Sequence, residues 1–499
     1  VDDLPEDSPL WGRVTSTADN CLGSQCPQLQ DCHVLKARRL ALEADVLVIN
    51  HHLLFADMAI REEGFAELLP GADGVILDEA HQLSEVAGQF FGLTLTARQL
   101  LDLARDTVAE QLKEAPDAGK IQELARALEK AVAELRLALG EGERRGAWAE
   151  VALDREVVAA MGDLEEVLGA LARALEGAAP RSKGLENVHQ RTVELLGRLT
   201  RLAGESPPDS VHWFETRGRG LALHLTPLEI AGQLRGQMER YRSAWILTSA
   251  TLAVGEDFGH FATRLGLPED SETLHLDSPF DFPRHGLLYH PTDLPDPRQP
   301  SYTRALVEAA LPVLEASRGR AFLLFTSYRA LREATELLTG RLDYPLLVQG
   351  SLPRSVLLER FKAAGNAVLL GTGSFWEGVD VRGPALSCVI IDKLPFASPG
   401  DPVLAARIDT LRRQGGNPFM EVQLPQAVIA LKQGVGRLIR DVDDRGVLML
   451  GDPRLLSRPY GQLFLDSLPP MTRTRRLERV QRFFALEQAV QYPSDQPIL

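Results

Sequence analysis

Val75-Ile76-Leu77-Asp78-Glu79-Ala80-His81 is an apolar strand that delivers two adjacent carboxylates at its end. Open α/β sheets bind their ligands at the carboxyl ends of their strands, so this stretch predicts a parallel sheet with a working edge. Asp78 there can hold a magnesium ion on nucleotide phosphates, and Glu79 can orient or deprotonate an attacking water. The same two acids can instead cap the following helix, since carboxylates suit a helix N-terminus. Taken alone, either reading fits.

Working outward, the apolar run from Ala44 to Leu54 around Val46, Leu47, Val48 and Ile49 reads as a buried strand, and a strand signal returns at Ala244 to Leu247. Between Leu83 and Met238 the chain turns to alanine, leucine, glutamate and arginine at helical spacing, as in Leu124 to Leu139 and Val157 to Leu175. That is a helical insertion, broken into hairpins at Gly140 to Gly146, Ala178 to Gly184 and Gly204 to Ser210. After a proline-rich connector from Asp281 to Pro300, apolar strands at Ala321 to Phe325, Ala367 to Leu370, Cys388 to Ile391 and Val447 to Leu450 alternate with helices. This predicts a second α/β domain.

The chain of 499 residues is too long for one core, and two to four domains are expected. It is 44% hydrophobic and 25% charged, with no apolar run long enough to cross a bilayer and no secretory pattern in Val1 to Trp11. A cytoplasmic location is the expectation. A net charge of −15 argues against coating nucleic acid by charge alone and leaves room for a local basic groove. Of four cysteines, Cys21, Cys26 and Cys32 stand at C-x4-C-x5-C. Three thiolates so close suit a soft metal or an iron-sulfur cluster, and the paired C-x2-C spacing usual for zinc is missing. Cys388, in an apolar strand, reads as core. Gln433, Arg437 and Arg440 recur at helical spacing, which predicts one helix face suited to phosphate. Gly434 and Gly436 weaken that helix with no packing reason visible in the sequence.

Val75 to His81 resembles the DEAH form of motif II of superfamily 2 helicases. Further matches follow in order: Thr248-Ser249-Ala250-Thr251-Leu252 resembles motif III, Phe325-Thr326-Ser327 motif IV, Gly371-Thr372-Gly373-Ser374-Phe375-Trp376-Glu377-Gly378-Val379-Asp380 motif V, and Gln433 to Arg440 motif VI. Each alone is weak, and five in order are strong. The cysteine cluster, Ala37-Arg38-Arg39-Leu40, Asp45 to Leu54, Lys393-Leu394-Pro395-Phe396 and Gly451-Asp452-Pro453-Arg454 resemble the DinG/XPD iron-sulfur helicases, with the bacterial DinG branch favoured.

The resemblance implies an α/β protein of two RecA-like motor domains with parallel sheets, a helical Arch insertion and an iron-sulfur cluster insertion. Residues 1–45 would be the later part of the cluster domain, 46–84 with 239–282 the remainder of motor domain 1, 85–238 the Arch, and 283–499 motor domain 2. It implies an ATP-dependent DNA helicase moving 5′ to 3′ on single-stranded DNA in repair or replication, acting on forked or R-loop DNA as a monomer. ATP, magnesium and a [4Fe-4S] cluster are the implied cofactors. Asp78 would hold magnesium, and Cys21, Cys26 and Cys32 the cluster, with a fourth cysteine upstream of Val1. Glu79 would position water, and His81, Thr248, Ser249 and Thr251 would couple the lobes. Gln433, Arg437 and Arg440 would contact phosphate, and Gly378, Asp380 and Gly436 would line the nucleotide site. Thr326, Ser327, Ser374 and Trp376 would face nucleic acid or couple to it, although aromatics such as Phe375 and Trp376 are more often core.

No G-x-x-x-x-G-K-[ST] loop occurs in the 499 residues; Gly119-Lys120-Ile121 lacks the hydroxyl and the first glycine. One truncation ahead of Val1 would account for the missing loop, motif Ia and the fourth cysteine together, and the chain alone would then hydrolyse ATP poorly. A non-catalytic DNA-binding scaffold is the competing reading. An RNA-directed DEAH enzyme would lack the cysteines and the insertion, and an electron carrier would leave most of the chain unexplained.

Overall fold

The computed structural model describes residue 15 and residues 21–62, 69–204, 207–241, 243–254, 256–376, 381–398 and 400–491. The chain forms two compact units, neither continuous in sequence. The first comprises Val1–Leu247, Arg264–Leu267 and Ser398–Thr410, and the second Thr248–Thr263, Pro268–Ala397 and Leu411–Leu499.

In the first unit, β1 (Gly74–Leu77) pairs in parallel with β6 (Ala244–Leu247), Leu77 opposite Leu247. Four helices, Ala97–Glu114, Gly119–Ala138, Arg155–Glu176 and Lys183–Ala203, pack each on the next, and the fourth returns against the first. Their leucine stripes, including Leu100, Leu128, Leu164 and Leu199, are fully buried in one core. Side-chain caps begin three of the four: Thr96 and Gln99 form a reciprocal capping box, and Asp154 and Ser182 accept from backbone amides.

The insertion is more than helical. An antiparallel sheet runs in the order β2-β5-β4-β3, from β2 (Leu93–Thr96), β3 (Arg144–Ala147), β4 (Ser210–Arg217) and β5 (Gly220–Pro227). Its β4–β5 turn uses Gly218 at φ 55°, a backbone state glycine adopts without strain. Phe214, Leu221, Leu223 and Leu225 face the helical core. The strand expected at Ala44 to Leu54 is corrected. Residues 47–50 have no regular structure, Val46 and Val48 are 81% and 94% exposed, and a helix covers His51–Glu62. A parallel strand needs a hydrogen-bonded neighbour, and this stretch pairs with none among the described residues.

The second unit is a seven-stranded parallel sheet in the order β13-β7-β12-β11-β8-β10-β9. Its strands are β7 (Gly286–Tyr289), β8 (Ala321–Leu324), β9 (Leu346–Val348), β10 (Val368–Gly371), β11 (Cys388–Ile391), β12 (Gly446–Leu450) and β13 (Thr472–Thr474). Alternate residues feed two cores: Phe322, Leu369, Val389 and Leu448 on one face, Leu323, Leu370, Cys388 and Met449 on the other. Burial of both faces is why these strands read as unbroken apolar runs. No helix among the described residues is long and apolar enough to cross a membrane.

Candidate functional site

In the first unit, Leu77, Ala80 and Leu83 are buried while Asp78 and Glu79 are exposed between them. The chain turns sharply to do this. Glu79 sits at φ 51°, ψ 42° ahead of the short helix Ala80–Gln82, a left-handed state costing a non-glycine residue about 1–2 kcal/mol. His81, 9% exposed in its side chain, places Nδ1 3.4 Å from Glu79 Oε2. Asp78 can supply the single carboxylate that magnesium commonly takes from a protein, waters and phosphates supplying the rest.

Cys21 is exposed, and Cys26 and Cys32 are half-buried, with short 3-10 turns Gly23–Gln25 and Leu29–Asp31 between them. The thiols suit a soft metal chemically, yet among the described residues no three His, Cys, Asp or Glu side chains converge as a metal site. As arranged they do not fit an iron-sulfur cluster.

In the second unit, Thr248 is exposed, whereas Thr251 is buried and its amide donates to Ser249 Oγ at 3.2 Å. Just beyond, the Ala253 carbonyl accepts from Lys432 Nζ at 3.2 Å, so the chain two residues past Thr251 meets the Gln433 helix. Burial pulls the Lys432 ammonium below its ordinary value.

The expected helix face for Gln433, Arg437 and Arg440 is corrected. The helix Leu424–Val435 ends at Gly436, whose amide still reaches Lys432 O, and Arg437 and Arg440 lie beyond it. Arg437 Nε donates to the Trp376 carbonyl at 2.9 Å. Asp444 accepts from the amides of Arg440, Asp441 and Gly383, fixing the turn that carries Arg440. Gln433 is 9% exposed, and its Nε2 is buried without a hydrogen-bond partner. Gly434 does have a packing reason: a Cβ there would stand 2.9 Å from the Trp376 ring. Phe375 and Trp376 are buried core residues in the short helix Gly373–Trp376, which also contains Ser374. Gly378 and Asp380 lie outside the described residues.

At the carboxyl ends of β8, β10 and β11 the side chains interlock. Thr326 donates its amide to Asp392 Oδ1 at 3.0 Å and its hydroxyl to Oδ2 at 3.3 Å. Ser327 Oγ caps the helix Tyr328–Leu338 by accepting from Ala330 N. The Thr372 amide and hydroxyl donate to Gln349 Oε1, and Gln349 Nε2 donates to Tyr328 OH. Burial pushes the Asp392 carboxyl up to about 7, against the opposing pull of Lys393. Sequence reasoning missed Asp392, Asp444 and Gln349. Asp392 carried a usable signal, an acid directly after an apolar strand, as Asp78 is; the other two carried none.

A helicase C-terminal domain model matches residues 310–471. The chain is 48% identical over 483 residues to ATP-dependent DNA helicase YoaA of Escherichia coli (strain K12), spanning 97% of this chain and 76% of that protein. It is 33% identical to ATP-dependent helicase DinG of Mycobacterium tuberculosis (strain ATCC 25618 / H37Rv), over 94% of this chain and 71% of that protein. A solved XPD helicase structure shares the fold at TM-score 0.58 and 19% identity, covering 90% of this chain and 76% of that one.

Proposed function

The chain belongs to the DinG/XPD-type family of superfamily 2 ATP-dependent DNA helicases, and on that premise we propose a motor that couples ATP hydrolysis to 5′-to-3′ movement along single-stranded DNA. The observation that carries this is the placing of acids and hydroxyls at the carboxyl ends of parallel strands in both units, Asp78 and Glu79 after β1, Thr326 after β8 and Thr372 after β10. That edge is where α/β proteins do their chemistry.

In this reading Asp78 would hold magnesium, which when bound neutralises charge on the nucleotide phosphates. Glu79 orients the attacking water, with His81 steadying its carboxylate. Gln433, Arg437 and Arg440 take the phosphates, Arg437 and Arg440 as forked donors; Gly378, Asp380 and Gly436 complete the nucleotide site. Thr248, Ser249 and Thr251 couple nucleotide to DNA, and Thr326, Ser327, Ser374 and Trp376 shape the DNA side. Residues 46–84 with 239–282 and residues 283–499 are the two motor domains, and 85–238 the Arch. The protein works as a cytoplasmic monomer on forked or R-loop DNA during repair or replication.

The test is DNA-stimulated ATP hydrolysis and strand separation by the protein expressed from its whole reading frame, native and Glu79→Gln, on 5′- and 3′-tailed duplexes. Only the 5′-tailed duplex should open. Glu79→Gln should lower kcat about 100-fold or more while single-stranded DNA still binds. Native protein that binds DNA but hydrolyses no ATP would replace the motor with the non-catalytic scaffold.

A further inference from the structure

The rim of the second unit's sheet carries a cation that the function above leaves unused. Lys393 follows β11 and Asp392, and its ammonium lies 3.9 Å from Asp392 Oδ2 and 5.7 Å from the centre of the Tyr302 ring. The Tyr302 hydroxyl donates to the Asp392 carbonyl, and the Lys393 amide donates to Asp392 Oδ1 at 2.7 Å. Ring, carboxylate and ammonium thus close on one another and fix where the lysine stem points.

This arrangement holds the ammonium without saturating it. A separation of 3.9 Å is longer than a hydrogen bond, and the Asp392 oxygens already accept two amides and the Thr326 hydroxyl. Burial also keeps Asp392 partly protonated near neutral pH, which weakens its pull. The neighbouring rim cation behaves differently: Arg454 forks onto Asp452, Nη2 to Oδ2 at 2.6 Å and Nε to Oδ1 at 3.0 Å, and is committed there. The Lys393 side chain is 24% exposed, on the same edge as Thr326 and Ser327. In a chain of net charge −15, attraction for a polyanion has to come from local cations of this kind.

We propose that Lys393 is a backbone-phosphate contact for single-stranded DNA, positioned beside Thr326 by Asp392 and Tyr302. The inference rests on the DNA-motor reading and adds a residue and a ligand atom to it. A lysine is a compact charge with three donors, which a phosphate meets from many directions.

The experiment is binding of a labelled single-stranded oligonucleotide to the full-length protein, without nucleotide, across a salt series. Each neutralised phosphate adds about 0.7 to the slope of log affinity against log salt for single strands. Lys393→Ala should flatten the slope by about that amount at an unchanged melting temperature, and Lys393→Arg should restore it. Tyr302→Phe keeps the ring but loses the hydroxyl, and should weaken binding at unchanged slope. A parental slope in Lys393→Ala overturns the phosphate contact, and parental affinity in Tyr302→Phe overturns the positioning role. If the native protein fails to bind single strands, the DNA-motor reading falls and this inference with it.

Discussion

Asp392 shows how a single carboxyl can carry a pH signature. Its ordinary value is 3.8, and burial moves it up to about 7 in the folded chain. An acid raised on folding takes up protons as the chain folds between those two values, so its charged, buried form weighs against the fold increasingly as pH rises through that window. Lys393, donating amides and the Thr326 hydroxyl oppose this without cancelling it. Asparagine has no charge to bury. The melting temperature of Asp392→Asn relative to the native protein should therefore climb from pH 5 to pH 7 and level off above; a difference constant with pH would refute the shift. Asp78 and Glu79 were legible because strand and acids are contiguous in sequence. The left-handed backbone of Glu79 was not, since nothing in a glutamate's surroundings along the chain encodes a positive φ. Asp444 was invisible for another reason: its partners include Gly383, sixty-one residues away.

Elements were read best where one period dominates. Ala244–Leu247 and Cys388–Ile391 are strands at the expected limits, although only Cys388–Ile391 is buried throughout. β4 is buried over four successive residues, Val211 to Phe214, and shows no clean alternation, and both β4 and β5 lie inside a stretch whose composition speaks for helix. Spacing alone put Gln433, Arg437 and Arg440 on one helix; Gly436 ends that helix first. Gly434 gives the test at this scale. Gly434→Ala drives a methyl group into Trp376 and should cost about 1–3 kcal/mol, read as a lower denaturant midpoint. Gly436→Ala meets only the carbonyls of its own turn, the nearer at 3.3 Å, and should cost less. Equal losses would assign the effect to helix propensity rather than to the ring.

For the whole molecule, the order of five short motifs was enough to reach the family, although no single one was. The division into two units was legible only in outline, because the sequence gives no hint that residues 398–410 group with the first unit. Two units with separate cores predict unfolding in more than one step. Leu164→Ala opens the helical core and should cost about 2–5 kcal/mol there, lowering one transition and leaving the other in place. A single transition, shifted as a whole by that change, would show that the two cores melt together.

Because the chain passes from one unit to the other five times along its length, neither is a contiguous stretch of gene. On the ribosome, where chains emerge from the N-terminus, the first unit cannot be completed until residue 410 has been made, by which time most of the second unit's strands have already emerged. The two must therefore mature side by side during synthesis, and no exchange at a single splice point could graft either onto a relative.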